Sequence, residues 1–374
     1  MNKYVTDKKG GKLYTCFIDF RKAFDTVWHE GIFQKLAQVN INGNFLDTLK
    51  DMYNKTKCAV KIGDKLTQFF PCKRGVRQGD PLSPLLFNLF INGIFHELRN
   101  SNCDPVTLNG LDNISAMAYA DDIVLVSTTK EGLQKAINIT YDYCKKWKLE
   151  VNNKKTKCVT FTKGTQKEEH IFTIGDQPLK NTREMKYLGI SMNRQNASFT
   201  PAIEALKTKA TRALYGLRSK IDFRQLPVSL ALKLFDCLIR PILLYASEVW
   251  VPFMNHDSSK WDYNVIERVH MQFIKRILGV NRSTTNILVR GEVNRHSLLD
   301  EATRRNIRYA GYIHRKDPDA LVKQAYDYQL SRPLNSINFM NTINEHTGDI
   351  YSMHKEFLPY NNPYENIYAI DEKR

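Results

Sequence analysis

Ala116-Met117-Ala118-Tyr119-Ala120-Asp121-Asp122-Ile123-Val124-Leu125-Val126 sets two adjacent carboxylates in the middle of an apolar run. An ionised carboxylate taken out of water is costly unless a cation or a basic partner compensates it. The pair therefore calls for a metal, a basic neighbour or an exposed turn. Alanines alternate with Met117 and Tyr119 ahead of the acids, and β-branched and apolar residues follow them, which is the period and composition of strands. The stretch is predicted to be a β-hairpin with the aspartates at its tip, its small alanines leaving one face open to a bulky group. Taken alone, Asp-Asp fits turn chemistry as well as it fits a metal site. A third acid decides between them.

Leu13-Tyr14-Thr15-Cys16-Phe17-Ile18-Asp19-Phe20 supplies it, as a strand-like run with one carboxylate at its end. Further on, apolar spacing predicts a helix carrying Ile32, Phe33 and Leu36 and a second carrying Phe45, Leu46, Leu49, Met52 and Tyr53. A hairpin is expected around Gly63-Asp64, between Cys58 and Leu66. The chain then changes character at Arg74-Gly75-Val76-Arg77-Gln78-Gly79-Asp80-Pro81-Leu82-Ser83-Pro84. Two glycines and two arginines beside a helix start form a loop that lets backbone approach a ligand and favours phosphate. Asp80 or Ser83 serves as the N-cap, since each precedes a proline. The helix that follows has Leu85, Leu86, Leu89, Phe90, Ile94 and Leu98 as its apolar stripe.

After the Asp-Asp hairpin, Thr128-Thr129-Lys130-Glu131 reads as a capping box. The helix behind it carries Leu133, Ile137, Thr140 or Tyr141, Cys144 and Trp147, and ends near Lys148. Leu149 to Phe161 reads as a basic loop running into a strand, and a small hairpin is expected between Ile171 and Met192. From Thr200 the texture is helical, with helices from Thr200-Pro201 through Leu217, from Pro227 to Leu244 and from Val265 to Leu278. Beyond Arg332 periodicity fails.

Composition narrows the partners. The 374 residues are 42% hydrophobic and 25% charged, with a net charge of +16 and a pI near 9.4. So basic a chain points to a polyanionic partner, either nucleic acid or an anionic membrane surface, of which membrane is the weaker choice. No apolar run reaches the roughly 18 residues of a spanning helix, and the N-terminus has no apolar signal core. Seven scattered cysteines without CxxC pairs point to reduced thiols. The expected setting is intracellular, nucleus or cytoplasm, without a membrane.

Asp19, Asp121 and Asp122 can converge if strand and hairpin are neighbours in one sheet, and convergence would repel without cations. Two divalent ions about 3.5–4 Å apart between such acids are an established arrangement for in-line phosphoryl transfer. Magnesium suits an oxygen-only site.

Phe17-Ile18-Asp19-Phe20-Arg21-Lys22-Ala23-Phe24-Asp25, Gly75 to Pro84, Ala118-Tyr119-Ala120-Asp121-Asp122, Asn152-Asn153-Lys154-Lys155-Thr156 and Tyr187-Leu188-Gly189 resemble, in order, the palm motifs of reverse transcriptases of non-LTR (LINE-like) retrotransposons. Leu238 to Tyr245 and Arg276 to Val280 resemble the thumb of those elements. The resemblance spans about residues 13 to 300. It implies an α+β fold, a polymerase palm with an antiparallel sheet backed by helices, followed by an α-helical thumb. It implies RNA-directed DNA polymerase activity on an RNA template, a DNA primer and dNTPs, with two Mg²⁺ ions. By the same resemblance, Asp19 and Asp121 bind both metals, Asp122 is an auxiliary ligand and the Phe20 carbonyl lies near the nucleotide-side ion. Phe24 is the steric gate, and Arg77, Gln78 and Gly79 flank the nucleotide. Lys155 is the proton donor to pyrophosphate, and Tyr187, Leu188 and Gly189 form the primer grip.

The expected domains are a palm over 1–198, a helical thumb-like domain over 199–300 and a C-terminal extension over 301–374. Only 18 residues precede Asp19, where family members carry a fingers region, so the expectation is a fragment of a longer element. No endonuclease domain, zinc knuckle or RNase H-like block of acids is recognised. A nucleic-acid-binding remnant without turnover is the rival reading. A group II intron maturase would share the palm motifs but should carry a maturase domain.

Overall fold

The computed structural model describes residues 11–107, 113–162, 170–193, 199–251 and 261–330. Contacts divide the chain into two compact units, one drawn mainly from residues before 190 and one mainly from residues after 198. The region beyond Arg332 lies outside the described residues.

The first unit is built on a five-stranded sheet in the spatial order Lys180–Asn181, Lys157–Thr162, Lys12–Ile18, Asp122–Ser127, Ala116–Tyr119. Its central strand, Lys12–Ile18, is antiparallel to both neighbours. Only the short Lys180–Asn181 edge runs parallel to its partner. Leu13 to Ile18 are all buried, so this strand is covered on both faces, and an unbroken apolar run is what such a position demands. Tyr14, Cys16, Ile18, Ile123, Leu125 and Cys158 belong to one apolar core with the helices Leu82–Arg99 and Lys130–Lys146. The fold is α+β.

Helices stand at His29–Gln38 and Asn44–Asn54. In the second, Leu46, Leu49 and Tyr53 are buried while Phe45 and Met52 are exposed. The Leu82–Arg99 helix buries Leu86, Phe87, Phe90, Ile91, Ile94 and Leu98 and exposes Leu85. Apolar residues nearly encircle its first two turns, so spacing alone left the inward face undetermined. Asp80 performs the capping, its Oδ1 accepting the N–H of Leu82 at 2.9 Å. Ser83 lies inside the helix and donates its hydroxyl to the Arg77 carbonyl at 2.6 Å. The expected capping box is corrected likewise: the N-cap of the Lys130–Lys146 helix is Thr129, which accepts from Gly132, a residue with no side chain to reach back.

Two short ribbons, Lys57–Cys58 with Phe70–Pro71 and Lys61–Ile62 with Lys65–Leu66, form the hairpin around Gly63-Asp64. A second tight hairpin pairs Thr173–Ile174 with Gln177–Pro178.

The other unit is helical, with Thr200–Arg218, Val228–Leu238, Val265–Ile277 and Leu298–His314 around one core. The single helix expected from Pro227 to Leu244 is two, Val228–Leu238 and Arg240–Leu243. Pro241 has no N–H to donate and its ring crowds the carbonyl of Cys237, which ends the first helix. Among the described residues no helix is long and apolar enough to cross a membrane.

Candidate functional site

The register of the central strand brings the acids together. Ile18 pairs with Ile123 in an antiparallel ladder, so the next residue of each strand, Asp19 and Asp122, stands across from the other at the sheet end. Tyr119 pairs with Asp122 around the two-residue turn Ala120-Asp121. Ala120 holds φ 52°, a left-handed conformation unusual for a residue with a Cβ. That strained turn presents both aspartates on one rim.

The electrostatics follow from this convergence. Asp122 is solvent-accessible, yet its carboxyl is held above the ordinary aspartate value, first by partial loss of surrounding water and then by the charges of Asp121 and Asp19. Oδ2 of Asp19 is buried and has no hydrogen-bond partner among the described residues. Among the described residues, no group of three or more His, Cys, Asp or Glu side chains is placed so that it could hold a metal ion. The buried, unpartnered oxygen of Asp19 is the kind of donor that magnesium takes, an ion that keeps waters and substrate phosphates in its shell.

On the other side of Asp19 the Glu150–Thr156 loop is tied to the strand end. The Asp19 N–H donates to Oγ1 of Thr156 at 3.2 Å, the Asn152 N–H to the Asp19 carbonyl at 2.7 Å, and the Arg21 N–H to the Glu150 carbonyl at 2.8 Å. Phe20 bridges to Val151 and Phe17 pairs with Lys157, and of the residues between, Thr156 is buried while Lys154 and Lys155 are exposed. Lys155 precedes the Thr156 whose hydroxyl accepts the Asp19 N–H. Phe20 itself is buried.

The Arg74–Gly79 loop is bolted to the segment after the strand. The Gly75 N–H donates to the Val27 carbonyl at 2.9 Å, the Val76 N–H to the Phe24 carbonyl at 2.8 Å, and a ring nitrogen of His29 lies 2.8 Å from the Gly75 carbonyl. A Cβ on Gly75 would sit 2.6 Å from the Asp25 carbonyl oxygen, so no larger residue fits this approach. Phe24 is half-buried and stacks on the buried Phe87, with centroids 4.4 Å apart. Gln78 donates to Oδ1 of Asp25 at 2.9 Å. Gly79, at φ 84°, faces open space.

Arg77 points elsewhere. Its Nη2 donates to the Met52 carbonyl at 2.7 Å and to Oγ1 of Thr56 at 2.6 Å, and its guanidinium lies 5.7 Å from the Tyr53 ring centroid. In this conformation it anchors the loop to the end of the Asn44–Asn54 helix.

Tyr187 joins the acids from a further strand, Glu184–Tyr187. Its ring packs 5.6 Å from that of Phe17 and its hydroxyl reaches the Asp122 carbonyl at 3.5 Å. Burial, then the charge of Asp122, raises the phenol above its ordinary value. Leu188 and Gly189 turn the chain there, at φ 46° and 83°.

Spacing did not single out Thr156, Asp25, His29 or Phe87, each of which braces a site residue. Three of them lie inside or beside the quoted motifs. Phe87 was hidden by the uniform apolarity of its helix.

A family model described as reverse transcriptase (RNA-dependent DNA polymerase) matches residues 2–192. Over 330 residues the chain is 25% identical to a probable RNA-directed DNA polymerase from transposon BS of Drosophila melanogaster, covering 84% of this chain and 34% of that protein. It is 34% identical over 188 residues to a Pol polyprotein of the type-2 retrotransposable element R2DM of the same fly, covering 48% and 17%. Over 245 residues it is 26% identical to the RNA-directed DNA polymerase of the mobile element jockey of Drosophila funebris, covering 63% and 26%. The chain thus spans about a third or less of these relatives. A solved telomerase from Candida albicans, in complex with a TWJ fragment of telomeric RNA, aligns with a TM-score of 0.40 at 14% identity, over 74% of this chain and 48% of that one.

Proposed function

Because the chain belongs to the reverse transcriptase (RNA-dependent DNA polymerase) family, we propose that it is an RNA-directed DNA polymerase core extending the 3′-hydroxyl of a DNA primer with dNTPs along an RNA template. The observation that carries this reading is the register pairing Ile18 with Ile123, which brings Asp19 to Asp122 at one sheet end and leaves a buried Asp19 oxygen unpartnered. Two Mg²⁺ ions held by Asp19, Asp121 and Asp122 would, when bound, lower the pKa of the primer hydroxyl and hold the leaving pyrophosphate.

The chain's own residues supply the positioning. Phe24, seated on Phe87, offers a rigid face against the sugar, which suits exclusion of a ribose 2′-hydroxyl. Gln78 and Gly79 border the nucleotide from a loop braced by Asp25, Val27 and His29, and Arg77 maintains that loop through Met52 and Thr56. Lys155, exposed and next in the chain to the Thr156 that accepts the Asp19 N–H, is available to give a proton to pyrophosphate. The Phe20 carbonyl and the Tyr187-Leu188-Gly189 turn serve the nucleotide and the primer end. The helical residues 199–300 act as the thumb, with 301–374 as an extension.

Primer extension on an RNA template with Mg²⁺ and dNTPs tests this. The wild-type chain is expected to extend, and Asp121→Asn to lose extension while keeping its affinity for template-primer. Equal extension by the variant overturns the assignment. Salt-sensitive strand binding by the wild type with no extension supports the non-catalytic remnant instead.

A further inference from the structure

Two cysteines meet at the root of the hairpin that precedes the Arg74–Gly79 loop. The ribbon pairs Lys57 with Pro71 and Cys58 with Phe70, and the Cys72 N–H continues the ladder by donating to the Thr56 carbonyl at 3.0 Å. Thr56 therefore stands opposite Cys72. Side chains alternate faces along a strand, so Cys58, two residues beyond Thr56, shares a face with Cys72 as its diagonal neighbour. A two-stranded ribbon twists more strongly than a broad sheet, and the twist draws one diagonal together. Here the two thiols are in contact: a hydrogen bond with the Cys72 thiol is the first cause that raises the Cys58 thiol above its ordinary value.

Access separates this pair from the other cysteines. All seven are free thiols. Cys16 and Cys158 also face each other, directly across two strands of the sheet, but both are buried in the apolar core, beyond the reach of a solute oxidant. Cys103 and Cys144 are buried as well, and Cys237 belongs to the helical unit. Cys58 and Cys72 are half-exposed, and the neighbouring Lys57, Lys73 and Arg74 are exposed cations. That charge draws an anionic oxidant toward the pair.

We propose that Cys58 and Cys72 are a redox site that closes reversibly to a disulfide on meeting a low-molecular-weight disulfide such as oxidised glutathione. One protein thiolate attacks a sulfur of the oxidant, forms a mixed disulfide and expels one glutathione thiolate; the other protein thiolate then attacks the mixed disulfide and expels the second. Two electrons pass from the cysteines to the oxidant, and their two protons end on two molecules of glutathione. Closure also removes the Cys72 S–H that the Arg74 carbonyl accepts at 3.3 Å, so oxidation acts where the Arg74–Gly79 loop leaves the hairpin. This chemistry needs neither the aspartates nor a primer.

The test treats the full native chain with oxidised glutathione, alkylates the remaining thiols and maps tryptic peptides by mass spectrometry without reduction. Cleavage after Lys57, Lys61, Lys65 and Lys73 puts the two cysteines on separate peptides, residues 58–61 and 66–73. These are expected to appear joined, with Cys16, Cys103, Cys144 and Cys158 still reduced, and to separate on treatment with dithiothreitol. Cys58→Ser and Cys72→Ser should each lose the link and carry glutathione on the remaining partner. In the wild type, glutathione left singly on Cys58 or Cys72, or no reaction at either, would overturn the proposal. So would a link found only between two chains, seen as a dimer on a non-reducing gel. The wild-type map decides by itself, whether or not the serine variants fold.

Discussion

The backbone N–H of Asp19 donates to Oγ1 of Thr156 across 3.2 Å where the central strand stops. Thr156 is fully buried, so its hydroxyl settles the strand-end acid without competition from water. Thr156→Val keeps the shape and removes the acceptor, leaving a donor unsatisfied at a cost of about 1–2 kcal/mol. Urea denaturation should register that loss. Primer extension should fall while template affinity holds, and a variant with unchanged stability would mean the N–H has another acceptor.

Gly75 and Gly79 make a paired experiment on the loop. Both sit at positive φ, 88° and 84°, but only Gly75 has backbone against it, the Asp25 carbonyl oxygen 2.6 Å from the Cβ position. Gly79→Ala should cost only the left-handed backbone penalty, roughly 1–2 kcal/mol. Gly75→Ala adds displacement of the Asp25 backbone and should cost clearly more. It should also break the Gln78–Asp25 contact. Equal chemical denaturation midpoints for the two variants would remove the clash from the account.

The raised pKa of Asp122 carries a sign. A carboxyl whose folded pKa exceeds its unfolded one binds more protons in the folded state across that window, so stability falls as pH rises through it and stays lower above. In protein free of divalent ions, Asp122→Asn should therefore be more stable than wild type at neutral pH, with the advantage vanishing below the ordinary aspartate range. Added Mg²⁺ should raise the thermal midpoint of the wild type more than that of the variant. An Asp122→Asn chain less stable than wild type at neutral pH would contradict the repulsion from Asp121 and Asp19.

How much of this was legible in the sequence depended on whether a local pattern had one solution. Asp121-Asp122 in an apolar run and Asp19 at the end of another could converge only at one sheet end, and the Ile18–Ile123 register puts Asp19 and Asp122 there. The positive charge of Arg77 was legible, but not its hold on Met52 and Thr56, because a cation's partner is set by tertiary approach. Phe87 escaped notice because Leu85, Leu86, Phe87, Leu89 and Phe90 crowd one helix, and only the packed neighbour decides that Phe87 faces Phe24 while Leu85 faces solvent. The cap moved from Thr128 to Thr129 for a similar reason: two threonines side by side offer the same chemistry one residue apart.

Glu267 gives the strongest stability prediction in the helical unit. Its carboxylate is fully buried and accepts from Trp261 Nε1 at 3.1 Å and the Leu298 N–H at 2.7 Å through one oxygen. The other oxygen faces His270 Nδ1 at 3.0 Å and Arg290 Nη1 at 3.5 Å. Leu298 opens the helix Leu298–His314, so the carboxylate also meets the positive end of that helix dipole. Glu267→Ala would strand the indole N–H, the helix N–H and part of the Arg290 charge in a dry core, which costs about 3–5 kcal/mol for a broken buried pair. Glu267→Gln should cost less, since one oxygen survives and only the amide nitrogen opposes a donor. The ordering Ala worse than Gln worse than wild type should be read from urea denaturation followed by far-ultraviolet circular dichroism. A Glu267→Ala chain within about 1 kcal/mol of wild type, the size of an ordinary single substitution, would mean that water or repacking satisfies these donors and that the carboxylate is not what joins the Val265–Ile277 and Leu298–His314 helices.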